Sequence, residues 1–348
     1  MDFAFQILAL LVIAGTFVPR LRSDIWIVRS WDFPQVQLAL VGIFAGAGML
    51  ICDFQGLWWH GAILILLGLA LVRLGLVIFP YTRLAKQRVV SGNGKTRLSV
   101  MVSNVLMSNR ESEKLIELLR TYEPDLFVAL ETDQWWVDQL AEVAGDYPHA
   151  VELPQDDTYG MLLRSRIPLE NAEVEYLVRK NIPSIHFAVE LDDGTHVQMH
   201  ALHPKPPFPD EDTSSTDRDA ELMMVGKRVK DHPGPSIVFG DMNDVAWSHT
   251  TRLFQRTSSL LDPRMGRGFF STFHAEHRWM RWPLDHLFVS REFRVCRMER
   301  LPYVGSDHFP IFAEFSYEPD KQAANDPLDG DADDRKEAAK KVAAVQQS

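Results

Sequence analysis

The chain has 348 residues, 46% hydrophobic and 24% charged, with a formal net charge of −11; that length allows one to three domains. Residues 1–94 are net +3 and residues 318–348 net −3, which leaves −11 on residues 95–317, a poor match for a long phosphate backbone that rewards a basic footprint. The two cysteines, Cys52 and Cys296, lie in an apolar segment and a distant domain, which excludes a disulfide framework or a paired-cysteine metal site.

The N-terminal third reads as a membrane anchor. Residues 3–19 and 34–52 hold no charge, and residues 57–80 hold one, Arg73. Runs of ~17–25 apolar residues are long enough to cross a bilayer as helices. Trp26, Trp31, Trp58, Trp59 and Tyr81 flank them, as interfacial aromatics do, and Arg73 can snorkel toward the end of the third span. A signal peptide fits poorly, because residues 1–6 contain Asp2 and no Lys or Arg. A channel or transport component fits poorly too, since Arg73 alone is charged within the spans. Arg20, Arg22 and Arg29 lie between spans one and two, and Arg83, Lys86 and Arg88 follow span three. Two crossings separate these basic segments, so they share one face, expected to be cytoplasmic. These features divide the chain into an anchor (1–90), a flexible linker (91–96) around Ser91-Gly92-Asn93-Gly94-Lys95, a folded domain (97–317) and a disordered acidic, then Lys/Ala-rich tail (318–348).

Within 97–317, apolar and β-branched runs predict strands at Arg97–Val102, Asp125–Leu130, Gly160–Arg164, Ile185–Val189, Val197–Leu202, Pro235–Phe239, Pro283–Ser290 and Phe309–Phe315. Helices are expected over Ser112–Tyr122 and Asp217–Val229. Many strands with few helices predict a four-layer α/β sandwich, with two packed, mostly antiparallel sheets and helices outside.

The polar residues at strand ends carry the chemistry. Asn104, Glu131 and His203 each follow a strand; Asp241, Asn243 and Asp244 follow another across Gly240. Asp285 sits in an apolar stretch, and Asp307-His308 precede the last strand. Singly, such residues are ordinary cap or turn residues. Six strand ends that carry only carboxylates, amides and imidazoles are harder to attribute to turns. Strand ends in layered α/β folds are also where side chains from different strands converge.

The ordered set Ser103-Asn104-Val105, Leu130-Glu131-Thr132, Leu202-His203-Pro204, Gly240-Asp241-Met242-Asn243-Asp244, Leu284-Asp285-His286 and Gly305-Ser306-Asp307-His308-Phe309-Pro310 resembles the endonuclease/exonuclease/phosphatase superfamily. The resemblance covers about residues 97–317. It implies a deoxyribonuclease-I-like fold and hydrolysis of a phosphate ester with a divalent metal, usually magnesium, with manganese as the alternative. The three-span N-terminus resembles a bacterial membrane-anchored branch of that superfamily. By the same resemblance Glu131 is the principal metal ligand, with Asn104 beside it and Asp307 completing the shell, in keeping with the hard-oxygen preference of magnesium. His308 is the expected general base, oriented by Asp285. Asp241 positions the water, Asn243 donates to a non-bridging oxygen, and His203 donates to the phosphate or leaving group. Histidine at 203, where abasic-site nucleases tend to place tyrosine, points away from abasic-site repair.

Arg218, Lys205 and Trp247 are expected to bind substrate, against the plainer readings of a surface ion pair for Arg218 and of aromatic packing for Trp247 and Trp282. His200 is expected to point away from His203, because strand side chains alternate and the two are three apart. The expected activity is that of a membrane-anchored phosphodiesterase acting on a lipid headgroup or small phosphoester, with the bilayer and that substrate as partners. The acidic domain and the anchor disfavour nucleic acid. A metal-dependent endonuclease or exonuclease and a catalytically idle tethered scaffold are the alternatives; no protein partner is indicated.

Overall fold

A computed structural model of the chain describes residues 3–52, 58–208, 213–328 and 330–346. Among these, three N-terminal helical stretches are long and apolar enough to cross a membrane: Ala4–Leu21, Gln35–Cys52 and Trp58–Tyr81. They contain α1 (Ala4–Phe17), α3 (Gln35–Cys52) and α4 (Trp58–Ile78); a short helix, α2 (Trp26–Ser30), lies between the first two. Residues 53–57, between the second and third apolar runs, lie outside the described residues.

The rest is an α/β sandwich. One six-stranded sheet has the order β10-β11-β1-β2-β4-β3, built from β1 (Arg97–Asn104), β2 (Leu126–Leu130), β3 (His149–Leu153), β4 (Met161–Ser165), β10 (Phe293–Arg300) and β11 (Ile311–Tyr317). The five-stranded sheet runs β5-β6-β7-β8-β9, from β5 (Glu170–Glu175), β6 (Ser184–Glu190), β7 (His196–Leu202), β8 (Ser236–Asp241) and β9 (Asp285–Val289). Each sheet holds one parallel pair among antiparallel neighbours, β1 with β2 and β7 with β8. Each parallel pair is joined by a crossover helix, α5 (Ser112–Tyr122) or α7 (Thr216–Asp231), as parallel strands require.

Strand alternation explains the layers. Leu98, Val100 and Val102 of β1 join Leu126, Val128 and Leu130 of β2 and Ile237 and Phe239 of β8 in the core between the sheets. Met101, Phe127 and Ala129 face the other way, onto Leu115, Ile116 and Leu119 of α5 and Trp136 and Val137 of α6 (Gln134–Leu140). Leu202 and Val238 likewise face α7 and α8 (His249–Ser258). Burying both faces makes the central strands read as continuous apolar runs. The edge strands β3, β5 and β10 escape the sequence reading because their outward residues, such as Glu173, Arg294 and Arg297, interrupt the apolar pattern. Helix α8 escapes it because its sequence is mostly polar; Ser248 caps it by accepting from the Thr251 N–H at 2.9 Å.

Two boundary expectations are corrected. The stretch 91–96 is tied down rather than loose: the Gly92 N–H donates to the Val295 carbonyl at 3.0 Å, and the Gly94 N–H to Glu318 Oε1 at 3.1 Å. The tail is not disordered over its described part. Helix α9 (Ala332–Gln346) packs Ala338 against the α7–α8 core. Lys341 donates to Asp219 at 2.8 Å and to Asp24 at 3.1 Å, while Arg256 pairs with Asp334 at 2.8 Å. These partners come from distant parts of the chain, so local composition does not reveal them. Residues 329, 347 and 348 of the tail lie outside the described residues.

His186 of β6 and His200 of β7 are register partners and share a hydrogen bond between their Nδ1 atoms at 2.8 Å, with Ser184 Oγ on His186 Nε2 at 2.9 Å. His200 therefore points away from the site at His203, as alternation requires. Burial pulls His186 down to about 4 and His200 to about 3. Unfolded chains take up protons at these positions below pH ~6.5 while the folded rings stay neutral. Stability is therefore expected to fall as the pH drops from about 6.5 toward 4, by up to about 1.4 kcal/mol per pH unit for each ring. Thermal midpoints of the detergent-solubilised chain across that range check this; His186→Gln/His200→Gln should show a shallower decline.

Candidate active site

The core between the sheets continues at one end as a cluster of buried polar side chains. Asn104 follows Leu98, Val100 and Val102 at the same parity; Asp241 follows Ile237 and Phe239; His203 follows Ala201; Asp285 precedes Leu287. The alternation that directs aliphatic side chains between the sheets thus directs amide, carboxylate and imidazole groups beyond the last apolar layer. Glu131 has the wrong parity, matching Phe127 and Ala129 on the helix side. Its backbone is left-handed, with φ 61°, and this turn brings its carboxylate to Asn104. Such a conformation costs a non-glycine residue about 1–2 kcal/mol.

Gly240 is required where β7 and β8 end. It has φ 135°, and a Cβ there would lie 1.9 Å from the Leu202 carbonyl oxygen. Without a side chain, Leu202 and Gly240 pair in register, which sets His203 and Asp241 side by side.

The groups form one connected network. Asn104 Nδ2 donates to Glu131 Oε1 at 2.7 Å and to Asp241 Oδ2 at 3.2 Å. Asp241 Oδ2 also lies 3.5 Å from His308 Nε2 and 4.0 Å from His203 Nε2. His308 Nδ1 bonds Asp285 Oδ2 at 2.8 Å. Asp241 Oδ1 accepts from the Asn243 N–H at 2.9 Å, and Asn243 Nδ2 donates to the Pro204 carbonyl at 3.0 Å. Burial disfavours the charged imidazolium of His308, but Asp285 and Asp241 outweigh it and hold the ring up at about 10. Burial pushes the Asp285 carboxyl up, opposed by His308. Burial likewise pushes Glu131 up, opposed by His203 and the Asn104 amide.

Asn104, Glu131, His203, Asp241, Asn243, Asp285 and His308 are thus gathered, with Asp307 next to His308 and near enough to Glu131 to raise its carboxyl further. The arrangement departs from expectation at Asn104. Its Oδ1 accepts from the Leu106 N–H at 3.1 Å and its N–H groups face the carboxylates, which orients Glu131 and Asp241.

Two of the three expected substrate contacts lie elsewhere. Arg218 is fully buried below the site: it donates to Asp219 Oδ1 at 2.9 Å and to the Asn243 carbonyl at 2.7 Å, and sits 3.4 Å from Asp244. Trp247 is buried under the anchor, with Nε1 donating to the Asp32 carbonyl at 2.7 Å and its ring against Tyr81. Lys205 follows Pro204, whose carbonyl accepts from Asn243. Trp282 packs on Phe33, at the entrance to α3, with ring centroids 5.5 Å apart.

Three positions went unassigned in the sequence. Ser306 Oγ donates to the Asn104 carbonyl at 2.8 Å and accepts from the His308 N–H at 3.0 Å, locking two site residues together. Its place in Gly-Ser-Asp-His was the available signal. Thr272 Oγ1 accepts from the Asp285 N–H at 3.2 Å, and the Phe273 ring lies 5.0 Å from His308; neither position stands out in the sequence.

A model of the endonuclease/exonuclease/phosphatase family matches residues 101–308, and the chain belongs to that family. Its members are generally hydrolases of phosphoester bonds. Among solved structures, an endonuclease/exonuclease/phosphatase from Beutenbergia cavernae is 17% identical, with TM-score 0.52 over 64% of this chain and 72% of that one. D. rerio TDP2 complexed with a single-strand DNA product is 18% identical, with TM-score 0.52 over 63% and 99%. The human Nocturnin catalytic domain with bound sulfate is 17% identical, with TM-score 0.53 over 67% and 96%. These likenesses establish the fold. No curated protein sequence matches the chain.

Family enzymes usually use divalent metals, and the residues present fit one. Glu131, Asp241, Asp285 and Asp307 set four carboxylates against two imidazoles, and the Glu131 carboxyl is raised by burial, which leaves an uncompensated hard-oxygen donor set suited to a cation. Asp241, Asp285 and His308 also cluster closely, but the Asp285–His308 hydrogen bond already occupies the facing atoms.

Arg218→Ala should act through folding. Leaving Asp219 and Asp244 without this partner is expected to lower stability by roughly 3–5 kcal/mol, read as a depressed thermal midpoint. A lost phosphate contact would instead raise KM at unchanged stability.

Proposed function

We propose that the protein is a membrane-anchored phosphoesterase that uses a divalent metal, magnesium or manganese, to hydrolyse a phosphodiester in a lipid headgroup or small phosphoester. The carrying observation is the continuous chain Glu131–Asn104–Asp241–His308–Asp285 at the end of the inter-sheet core. Glu131 and Asp307 would hold the metal, which supplies Lewis-acid polarisation of a phosphoryl oxygen when bound. Asp285 fixes the His308 ring through Nδ1, so Nε2 is the atom that exchanges a proton beside Asp241. Asn243 uses one amide N–H on Pro204, and its second is left to meet a non-bridging oxygen. The buried His203 Nδ1 has no hydrogen-bond partner among the described residues, which suits a donor to charge that develops on the substrate.

A lipid substrate is favoured by the segment that carries Phe273. Its ring packs on His308, while a few residues on Trp279 accepts from Gln37 Nε2 at 2.6 Å, within the first turn of α3. Trp279 is 77% and Met280 48% exposed, as side chains that enter a headgroup layer would be. One segment thus links the catalytic histidine to the entry of a candidate span. The basic residues Arg20, Arg22, Arg83, Lys86 and Arg88 support a cytoplasmic site.

The test is a panel of phosphodiesters, lipid phosphates and oligonucleotides offered to the full chain in lipid nanodiscs, with and without magnesium. Turnover of a lipid or small diester is expected, abolished by chelation and restored by magnesium or manganese. Oligonucleotide cleavage alone would establish the nuclease alternative, and uniform inactivity would remove the enzyme reading. Glu131→Gln and His308→Gln should each lower kcat by about 10²–10⁴; His308→Gln should also lower the thermal midpoint, because Asp285 loses its buried partner. A scaffold would keep its cellular phenotype in both variants.

A further inference from the structure

A cavity of about 350 Å³ lies between the anchor and the sandwich, away from the catalytic network. It is lined by Arg20 from the turn after α1, Arg22, Arg73 from α4, His249 and Arg252 from the start of α8, and Asp32 and Trp247. Its acids are already engaged. Asp32 pairs with Arg29 at 3.3 Å, and Glu337 pairs with Arg22 at 3.4 Å and His249 at 2.7 Å. Arg20, Arg73 and Arg252 have no carboxylate partner among the described residues, and the buried Nη1 of Arg73 makes no hydrogen bond. Three guanidinium groups that converge near a single carboxylate, Asp32, itself paired with Arg29, repel one another, and a half-buried one loses hydration as well. Such an arrangement is stable when an anion completes it.

The geometry points to a phosphate-binding site, separate from the catalytic centre, which takes the phosphate of an anionic lipid headgroup or free phosphate. Guanidinium groups match phosphate oxygens by paired N–H donors. The level in the membrane favours the lipid source. The C-terminal end of α1, the start of α3 and the end of α4 all meet the sandwich, and Arg73 lies five residues before Ile78, roughly 7–8 Å inside that helix end at 1.5 Å per residue. From there the Arg73 side chain can snorkel toward the headgroup phosphates at the helix end, and basic pockets between spans bind such headgroups. Bound there, the phosphate would join α1, α4 and α8 and hold the sandwich on its anchor.

The experiment uses the full chain carrying Glu131→Gln, so that turnover does not consume the probe and the result is independent of the phosphoesterase reading. Native mass spectrometry after release from nanodiscs of phosphatidylcholine, with or without phosphatidylglycerol, reads retained lipid. Retention of phosphatidylglycerol over phosphatidylcholine, reduced at least tenfold by Arg73→Gln or Arg252→Gln and less by Arg73→Lys, which keeps the charge but not the paired donors, is expected for the lipid source. A thermal midpoint raised by millimolar inorganic phosphate, and no longer raised in the same Gln variants, would assign free phosphate. Arg20→Gln, at an exposed side chain, covers the case in which Arg73→Gln does not fold. Equal lipid retention by parent and Gln variants, with no phosphate-dependent stabilisation, would overturn the site.

Discussion

Arg29, from the segment between the first two candidate spans, and Arg218, from the crossover helix α7, share the carboxylate of Asp244, and all three side chains are out of water. Arg29 also reaches Thr250, and Thr250 donates to Asp219, the acid that Arg218 and Lys341 share. The segment between the first two apolar helices, the loop after β8 and the C-terminal helix therefore meet in one buried ionic network. Desolvated charges of this kind are tolerated because each has partners, and removing one leaves the others exposed to the low-dielectric interior. The network lies directly below Asn243, whose carbonyl accepts from Arg218. The position of the loop that bears Asp241 and Asn243 thus depends on residues that never touch a substrate.

The same dependence joins the anchor to the rim. Tyr81 at the end of the third stretch donates to the Ala246 carbonyl at 2.6 Å, and Trp247 donates to the Asp32 carbonyl. Phe33 and Trp282 pack edge to face. The sandwich is seated on its helices through residues that flank the catalytic loop on both sides. Such seating fixes the orientation of the catalytic loop relative to the N-terminal helices.

The site itself was largely legible in the sequence, because period-two alternation places Asn104, His203, Asp241 and Asp285 on the faces that close the inter-sheet core. Glu131 was legible as a strand-end acid, but its direction was not: alternation sends it to the helix side, and only the left-handed backbone at that residue reverses it. Asn104 shows a second limit. Residue type allows an amide to offer either oxygen or N–H, and here the N–H groups face Glu131 and Asp241 while the oxygen accepts from Leu106. Arg218 and Trp247 misled because a cation or an aromatic ring near a motif is equally suited to a surface or a buried partner. What buries them, Asp219 and Asp244 for one and Tyr81 and Asp32 for the other, comes together only in three dimensions.

Local order in the sequence determined the apolar helical stretches, the central strands and the set of polar residues at their ends, since each follows from short-range periodicity and composition. Tertiary structure alone decided what distant segments do to one another. It turned residues 91–96 and the acidic tail into ordered parts of the domain, moved Arg29 and Arg218 out of water, and set Arg20, Arg73 and Arg252 around one cavity. The physical reason is that a charge has no fixed meaning along a chain: whether it is solvated, paired or left to seek an anion depends on which other charges the fold brings within a few ångströms.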